Sequence, residues 1–106
     1  MRVSVTQEDI DRGHKLQPEL CPVALAINRA TGKCARVGVS LAFLYDSHED
    51  YLNKAPGREV VLPYPVGHFV INYDNLGRNH PEVVPFEFEF DSPEQRPEDA
   101  EGVSCA

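Results

Sequence analysis

The chain has 106 residues, of which 42% are hydrophobic and 25% are charged, a size and composition typical of one globular domain. No apolar run is long enough to span a membrane, and the acidic N-terminus is unlike a secretory signal. The formal net charge of −7 arises entirely after residue 81, where eight acids face one base. Lys and Arg form no cluster, so we expect no direct binding to nucleic acid.

The first elements in chain order are a strand and a short helix. Arg2–Val5 alternates polar and apolar residues, which predicts a half-buried strand. Thr6 is a good N-cap, and Gln7–Arg12 follows it as a short helix that ends at Gly13. Residues 14–20 then form a connector, from which we expect Leu16 and Leu20 to point inward.

Residues 21–32 predict the central helix of the fold. Pro22 is at the first helical position and Gly32 is placed to end the helix, with Cys21 at the N-cap. Val23, Ile27 and Ala30 share one face, with Ala24 beside them. We therefore expect this helix to be largely buried.

Two strands are predicted next. Residues 35–45 alternate with a period of two and predict one strand, which Gly38 weakens or bends as a bulge. Residues 46–57 are a polar loop that ends in Pro-Gly. Residues 58–62 predict a second strand, antiparallel to the first.

Residues 63–74 fit two structures. Phe69, Ile71 and Tyr73 alternate as in a strand, whereas Val66, Phe69, Val70 and Tyr73 follow helical spacing. Two prolines suit a first helical turn and Gly77 suits a stop, which favours a helix. Gly67 weakens that prediction, since glycine costs about 1 kcal/mol in a helix interior.

Residues 82–90 predict the last strand, with Phe86, Phe88 and Phe90 on one face. Residues 91–106 contain two prolines and five acids and predict a disordered tail after a single globular domain at 1–90. The predicted order is β-α-α-β-β-α-β. It indicates an α+β fold with a small, mostly antiparallel sheet and helices on one face.

Four short pieces of the chain carry a resemblance: VTQEDIDRG, CPVALAI, LPYPVGHFVINYD and VVPFEFEF. Together they resemble a group of small uncharacterised phage and bacterial proteins that share V-T-x-x-x-I-x-x-G, C-P-x-A-x-A, L-P-x-x-V-x-x-F and P-F-x-F. The resemblance spans residues 3–90 and implies a helix at 63–74. It implies no activity, and Gly67 and His68 depart from the shared pattern.

Cys21 is the candidate catalytic residue. A thiol at a helix N-terminus faces free N–H groups that favour the thiolate, and His14 or His68 could serve as its base. The simpler interpretation is a buried cysteine that caps the helix and fills space. An odd count of three cysteines, Cys21, Cys34 and Cys105, favours free thiols in a reducing cytoplasm.

Metal and carboxylate chemistry have little support. The histidines and cysteines show none of the close spacings typical of zinc sites, so we predict no metal and no cofactor. Three carboxylate pairs, Asp9/Asp11, Glu49/Asp50 and Glu87/Glu89, are interpreted as solvated surface.

The resulting hypothesis is a small cytoplasmic binding or regulatory protein rather than an enzyme. Its predicted contact surface is the acidic strand and tail, with Glu87, Glu89 and Asp91 docking on a partner protein that has a basic surface. The alternative is a thiol-dependent enzyme or redox protein that uses Cys21. A homodimer formed through an open sheet edge also stays open.

Overall fold

The structure, a computed structural model, describes residues 2–47, 49, 52–53 and 57–90. Its strands are β1 (Arg2–Val5), β2 (Cys34–Val37), β3 (Leu41–Tyr45), β4 (Arg58–Val61) and β5 (Phe86–Glu89). Its helices are α1 (Gln7–Arg12), α2 (Pro22–Thr31) and α3 (Tyr64–Leu76). In the described part of the chain, every helix is too short or too polar to cross a membrane. The α+β class is confirmed, whereas the tail predicted at 91–106 lies outside the described residues.

The strands form two antiparallel sheets instead of one. β1 pairs with β5, which places Arg2 opposite Glu89. The second sheet has the order β2-β3-β4, with Leu41 opposite Val61. The antiparallel pairing predicted for residues 58–62 is therefore confirmed.

The single strand predicted at 35–45 is wrong, because the chain reverses inside it. The Gly38 N–H donates to the Leu41 carbonyl oxygen at 2.8 Å, and this bond closes a turn between β2 and β3. Val37 then pairs with Ala42 across the hairpin. The alternation of small and apolar residues continues through the turn, so the period alone could not reveal the reversal.

Helix α2 packs against β1, β2 and α1, and thus joins the two sheets. Val23, Ala24, Ala26 and Ile27 are buried, which confirms the predicted buried helix, although Ala30 is exposed. The helix ends at Gly32, whose positive φ of 72° is the left-handed conformation that glycine adopts without strain.

Helix α3 confirms the helical prediction for residues 63–74. Its buried side consists of Val66, Gly67, Phe69, Val70 and Tyr73. The Tyr73 hydroxyl donates to the Ile10 carbonyl oxygen at 3.2 Å, and the Phe69 and Phe86 rings lie 4.8 Å apart. The helix therefore contacts both α1 and β5.

Two smaller predictions need correction. Leu16 and Leu20 do not point inward, because the connector turns outward and leaves both side chains exposed. Cys34 is disulfide-bonded, so the expectation of three free thiols is wrong for this residue. Cys21 is free and buried.

Candidate functional site

A pocket of about 200 Å³ lies where the connector meets α2, α3 and β2. Cys21 lines it from the start of α2, and Val37 lines it from the end of β2. Val70 and Asp74 contribute from α3, and the connector adds Leu16, Gln17 and Pro18. The lining therefore combines apolar residues with Cys21, Gln17 and Asp74.

Backbone hydrogen bonds hold the connector in place around this pocket. The Val37 N–H donates to the Pro18 carbonyl oxygen at 3.0 Å, which fastens the connector to β2. The His14 N–H donates to the Leu20 carbonyl oxygen at 2.9 Å, so the connector also closes on itself. These bonds position the wall of the pocket without any regular secondary structure.

Leu16 adopts a strained backbone conformation at the edge of the pocket. Its φ is +61°, in the left-handed region that costs a non-glycine residue about 1–2 kcal/mol. The Leu16 N–H donates to Oδ1 of Asp74 at 2.9 Å, and this bond joins the connector to α3. The Leu16 side chain is 73% exposed, so burial does not offset the strain. The hydrogen bond to Asp74 stabilises this conformation, together with the backbone bonds of the connector.

Cys21 occupies the predicted N-cap position of α2, but its side chain makes no capping hydrogen bond. The residue is 4% exposed. Burial raises the pKa of the thiol from 9.0 to about 11, since the lowering effect of the nearby Ala24 and Val23 amides is smaller. The Asp74 carboxylate raises this pKa further. At neutral pH the thiol is therefore protonated and a poor nucleophile.

The two histidines considered as bases for Cys21 are placed differently. His68 is exposed on α3 and stacks on Tyr64, with ring centroids 6.1 Å apart. His14 is exposed in the connector. Among the described residues, neither imidazole forms a hydrogen bond with the Cys21 thiol.

No protein-family model, curated protein or solved structure matches this chain.

The acidic residues of β5 are exposed but not free. Arg2 forms ion pairs with Glu87 at 3.7 Å and with Glu89 at 3.1 Å. The Ser4 hydroxyl also donates to Glu87 at 3.3 Å. Both glutamates stay more than half exposed, but Arg2 offsets one of their two charges. Asp91, the third predicted contact residue, lies outside the described residues.

The other polar groups contain no metal site in the part of the chain that the structure describes. No group of three His, Cys, Asp or Glu side chains there could hold a metal ion. The prediction that Asp9 lies on a solvated surface is wrong. Arg29 and Thr6 bind its carboxylate in a buried position.

Sequence reasoning missed Asp74 as a site residue. The available signal was local, since Asp74 follows Val70 by four residues and therefore lies on the same face of α3. The contact with Leu16 spans 58 residues, so only the folded chain brings the two together.

Proposed function

We propose that this chain is a binding protein that docks on a basic protein surface through its acidic C-terminal segment. Residues 91–106 contain five acids and one Arg, which gives −5 + 1 = −4 of the net charge of −7. This concentration of charge is the observation that carries the proposal. A segment with such a charge attracts a basic partner at long range and excludes acidic ones.

The strand before this segment supports the proposal to a smaller extent. Glu87 and Glu89 face solvent, but Arg2 lowers the net charge of their surface to −1. We therefore assign most of the attraction to residues 91–106. Strand β5 lies just before the acidic segment in the chain.

A charge-neutral variant tests this function directly. It replaces Asp91, Glu94, Glu98, Asp99 and Glu101 by the corresponding amides, so that chain length is retained. A partner is first captured from the source cells with the intact chain, and its Kd is then measured for each variant at several salt concentrations. We expect the neutral variant to bind at least about tenfold more weakly and to lose most of its salt dependence.

The matched control carries only Glu87→Gln and Glu89→Gln, and it should weaken binding much less. Equal binding by the intact chain and the neutral variant would exclude the acidic segment as the docking element. A partner whose affinity is lost only in Cys21→Ser would instead favour thiol chemistry, which the protonated, buried state of Cys21 leaves with little support.

Three related statements stay predictions. They are the cytoplasmic location, the homodimer and the relationship to small phage and bacterial proteins.

A further inference from the structure

Asp74 places an unneutralised negative charge at the pocket between the connector and α3. It lies in the last turn of α3, where the helix dipole is negative and where a basic residue is the favoured partner. That turn contains no basic residue. A carboxylate in this position makes the local electrostatic potential more negative.

Two basic residues, Lys15 and Arg78, are close in sequence to Leu16 and Asp74. Arg78 follows α3, but its guanidinium donates to the carbonyl oxygens of Asp11 and Gly13 at 2.6 and 3.2 Å. Lys15 is adjacent to Leu16 and exposed. Within the described residues, neither forms an ion pair with Asp74. The Leu16 N–H is the polar group that binds this carboxylate.

The rest of the pocket is suited to a short apolar chain. Pro18, Val37 and Val70 supply aliphatic walls, and the protonated Cys21 thiol behaves as a small apolar group. A volume of about 200 Å³ is that of roughly six or seven water molecules, at about 30 Å³ each. This volume can hold an unbranched chain of four or five carbons with a small polar head.

We propose that this pocket binds an alkylammonium or alkylguanidinium group, with its cationic head at Asp74 and its stem against Val37 and Val70. The head forms a charge-assisted hydrogen bond with the Asp74 oxygen that Leu16 leaves open. The stem replaces water on the aliphatic walls, as the side chains of Lys and Arg do on protein surfaces. The proposed site uses no residue of the acidic segment at 91–106.

Titration of the ¹⁵N-labelled full chain with n-butylammonium tests the site. We expect saturable amide shifts at Leu16, Val37 and Val70. 1-Butanol has the same number of heavy atoms without charge and should bind at least about tenfold more weakly. Butyrate should produce no saturable shift. Stronger binding of butyrate would overturn the proposal, because it would indicate an anion site at the N-terminus of α2.

Asp74→Asn is the decisive variant, because its side-chain oxygen still accepts the Leu16 N–H while the charge is removed. We expect a loss of n-butylammonium affinity of about tenfold or more, with the amide spectrum otherwise retained. Glu82→Gln removes an exposed carboxylate outside the pocket lining and should leave affinity unchanged. Undiminished binding by Asp74→Asn, or no saturable shift in the intact chain, would overturn the proposal.

A second comparison distinguishes a lysine side chain of a partner from a free organic amine as the bound cation. The capped tripeptide Ala-Lys-Ala presents the same head on a polypeptide, whereas n-butylammonium presents it as a free amine. Tighter Asp74-dependent binding of the tripeptide would assign the pocket to a lysine side chain of a partner. Tighter binding of the free amine would assign it to a small organic cation.

Discussion

Arg29 binds both carboxylate oxygens of Asp9, at 2.7 and 2.8 Å, and so joins the last turn of α2 to the first turn of α1. The same guanidinium donates to the Ser4 carbonyl oxygen at 2.8 Å, which adds β1 to the junction. Asp9 is 4% exposed and also accepts the Thr6 N–H at 2.9 Å. Three consecutive elements of the chain, β1, α1 and α2, are therefore held together by the Arg29–Asp9 pair.

Arg29→Met should destabilise the protein, because it leaves the Asp9 carboxylate buried without its cation. Removing one partner of a fully buried pair costs about 3–5 kcal/mol. The Arg29 side chain is 53% exposed, so water can reach part of the junction and we expect about 2 kcal/mol. The measurement is urea unfolding followed by circular dichroism. Arg12→Met is the control, since its exposed pair with Glu8 should contribute less than about 0.5 kcal/mol. Equal losses in the two variants would contradict this account.

The same junction predicts a dependence of stability on acid. Burial by itself would raise the pKa of Asp9, but hydrogen bonds from Arg29 and Thr6, together with the Arg29 charge, hold this pKa below its ordinary value of 3.8. As pH falls below 3.8, the unfolded state takes up a proton on Asp9 that the folded state does not. The free energy of unfolding should therefore decrease as the pH falls from 3.8 toward the pKa of Asp9 in the folded state. Above pH 3.8 the stabilising contribution of Asp9 should be fully present.

Urea unfolding of the intact chain and of Asp9→Asn between pH 6 and pH 2.5 isolates this contribution. The intact chain should lose more stability than Asp9→Asn as the pH falls. Parallel curves for the two proteins would show that Asp9 does not carry the acid dependence.

Cys21 should react slowly with iodoacetamide while the protein is folded. The rise in its pKa from 9.0 to about 11 lowers the thiolate fraction about 100-fold at pH 8, and burial adds a steric barrier. Mass spectrometry of trypsin-digested samples gives the alkylation rate with and without 8 M urea. A native rate within a few fold of the rate in urea would contradict the protonated, buried thiol and restore the nucleophile hypothesis.

Gly67→Ala should destabilise the protein although alanine is the better helix former. A Cβ atom at Gly67 would clash with the Val39 carbonyl oxygen, a backbone atom that cannot rotate away. We expect a loss of about 2 kcal/mol in place of the gain of about 1 kcal/mol that helix propensity predicts. Asn75→Ala, at an exposed position of the same helix, is the control and should change stability by less than about 0.5 kcal/mol. A stabilising Gly67→Ala would show that α3 and the β2–β3 turn can separate at little cost.

Helices α1, α2 and α3 could be predicted from the sequence, because the signals that start and end a helix are local. Thr6 accepts the Asp9 N–H and begins α1, while Gly32 ends α2 in the left-handed conformation. Periodic apolar residues likewise identified the buried sides of α2 and α3. In each case the groups that interact lie within a few residues of one another.

The pairings between distant residues could not be predicted, because they form only when the chain folds. The reversal at Gly38 divides a strand that the alternation of residues makes look continuous. The division into two sheets depends on contacts that this alternation does not specify. Arg2 meets Glu89 across 87 positions, and Leu16 meets Asp74 across 58. Burial of Asp9 also depends on Arg29, 20 residues away. The charge of a side chain can be read from the chain alone, but its partner and exposure depend on which elements pack beside it.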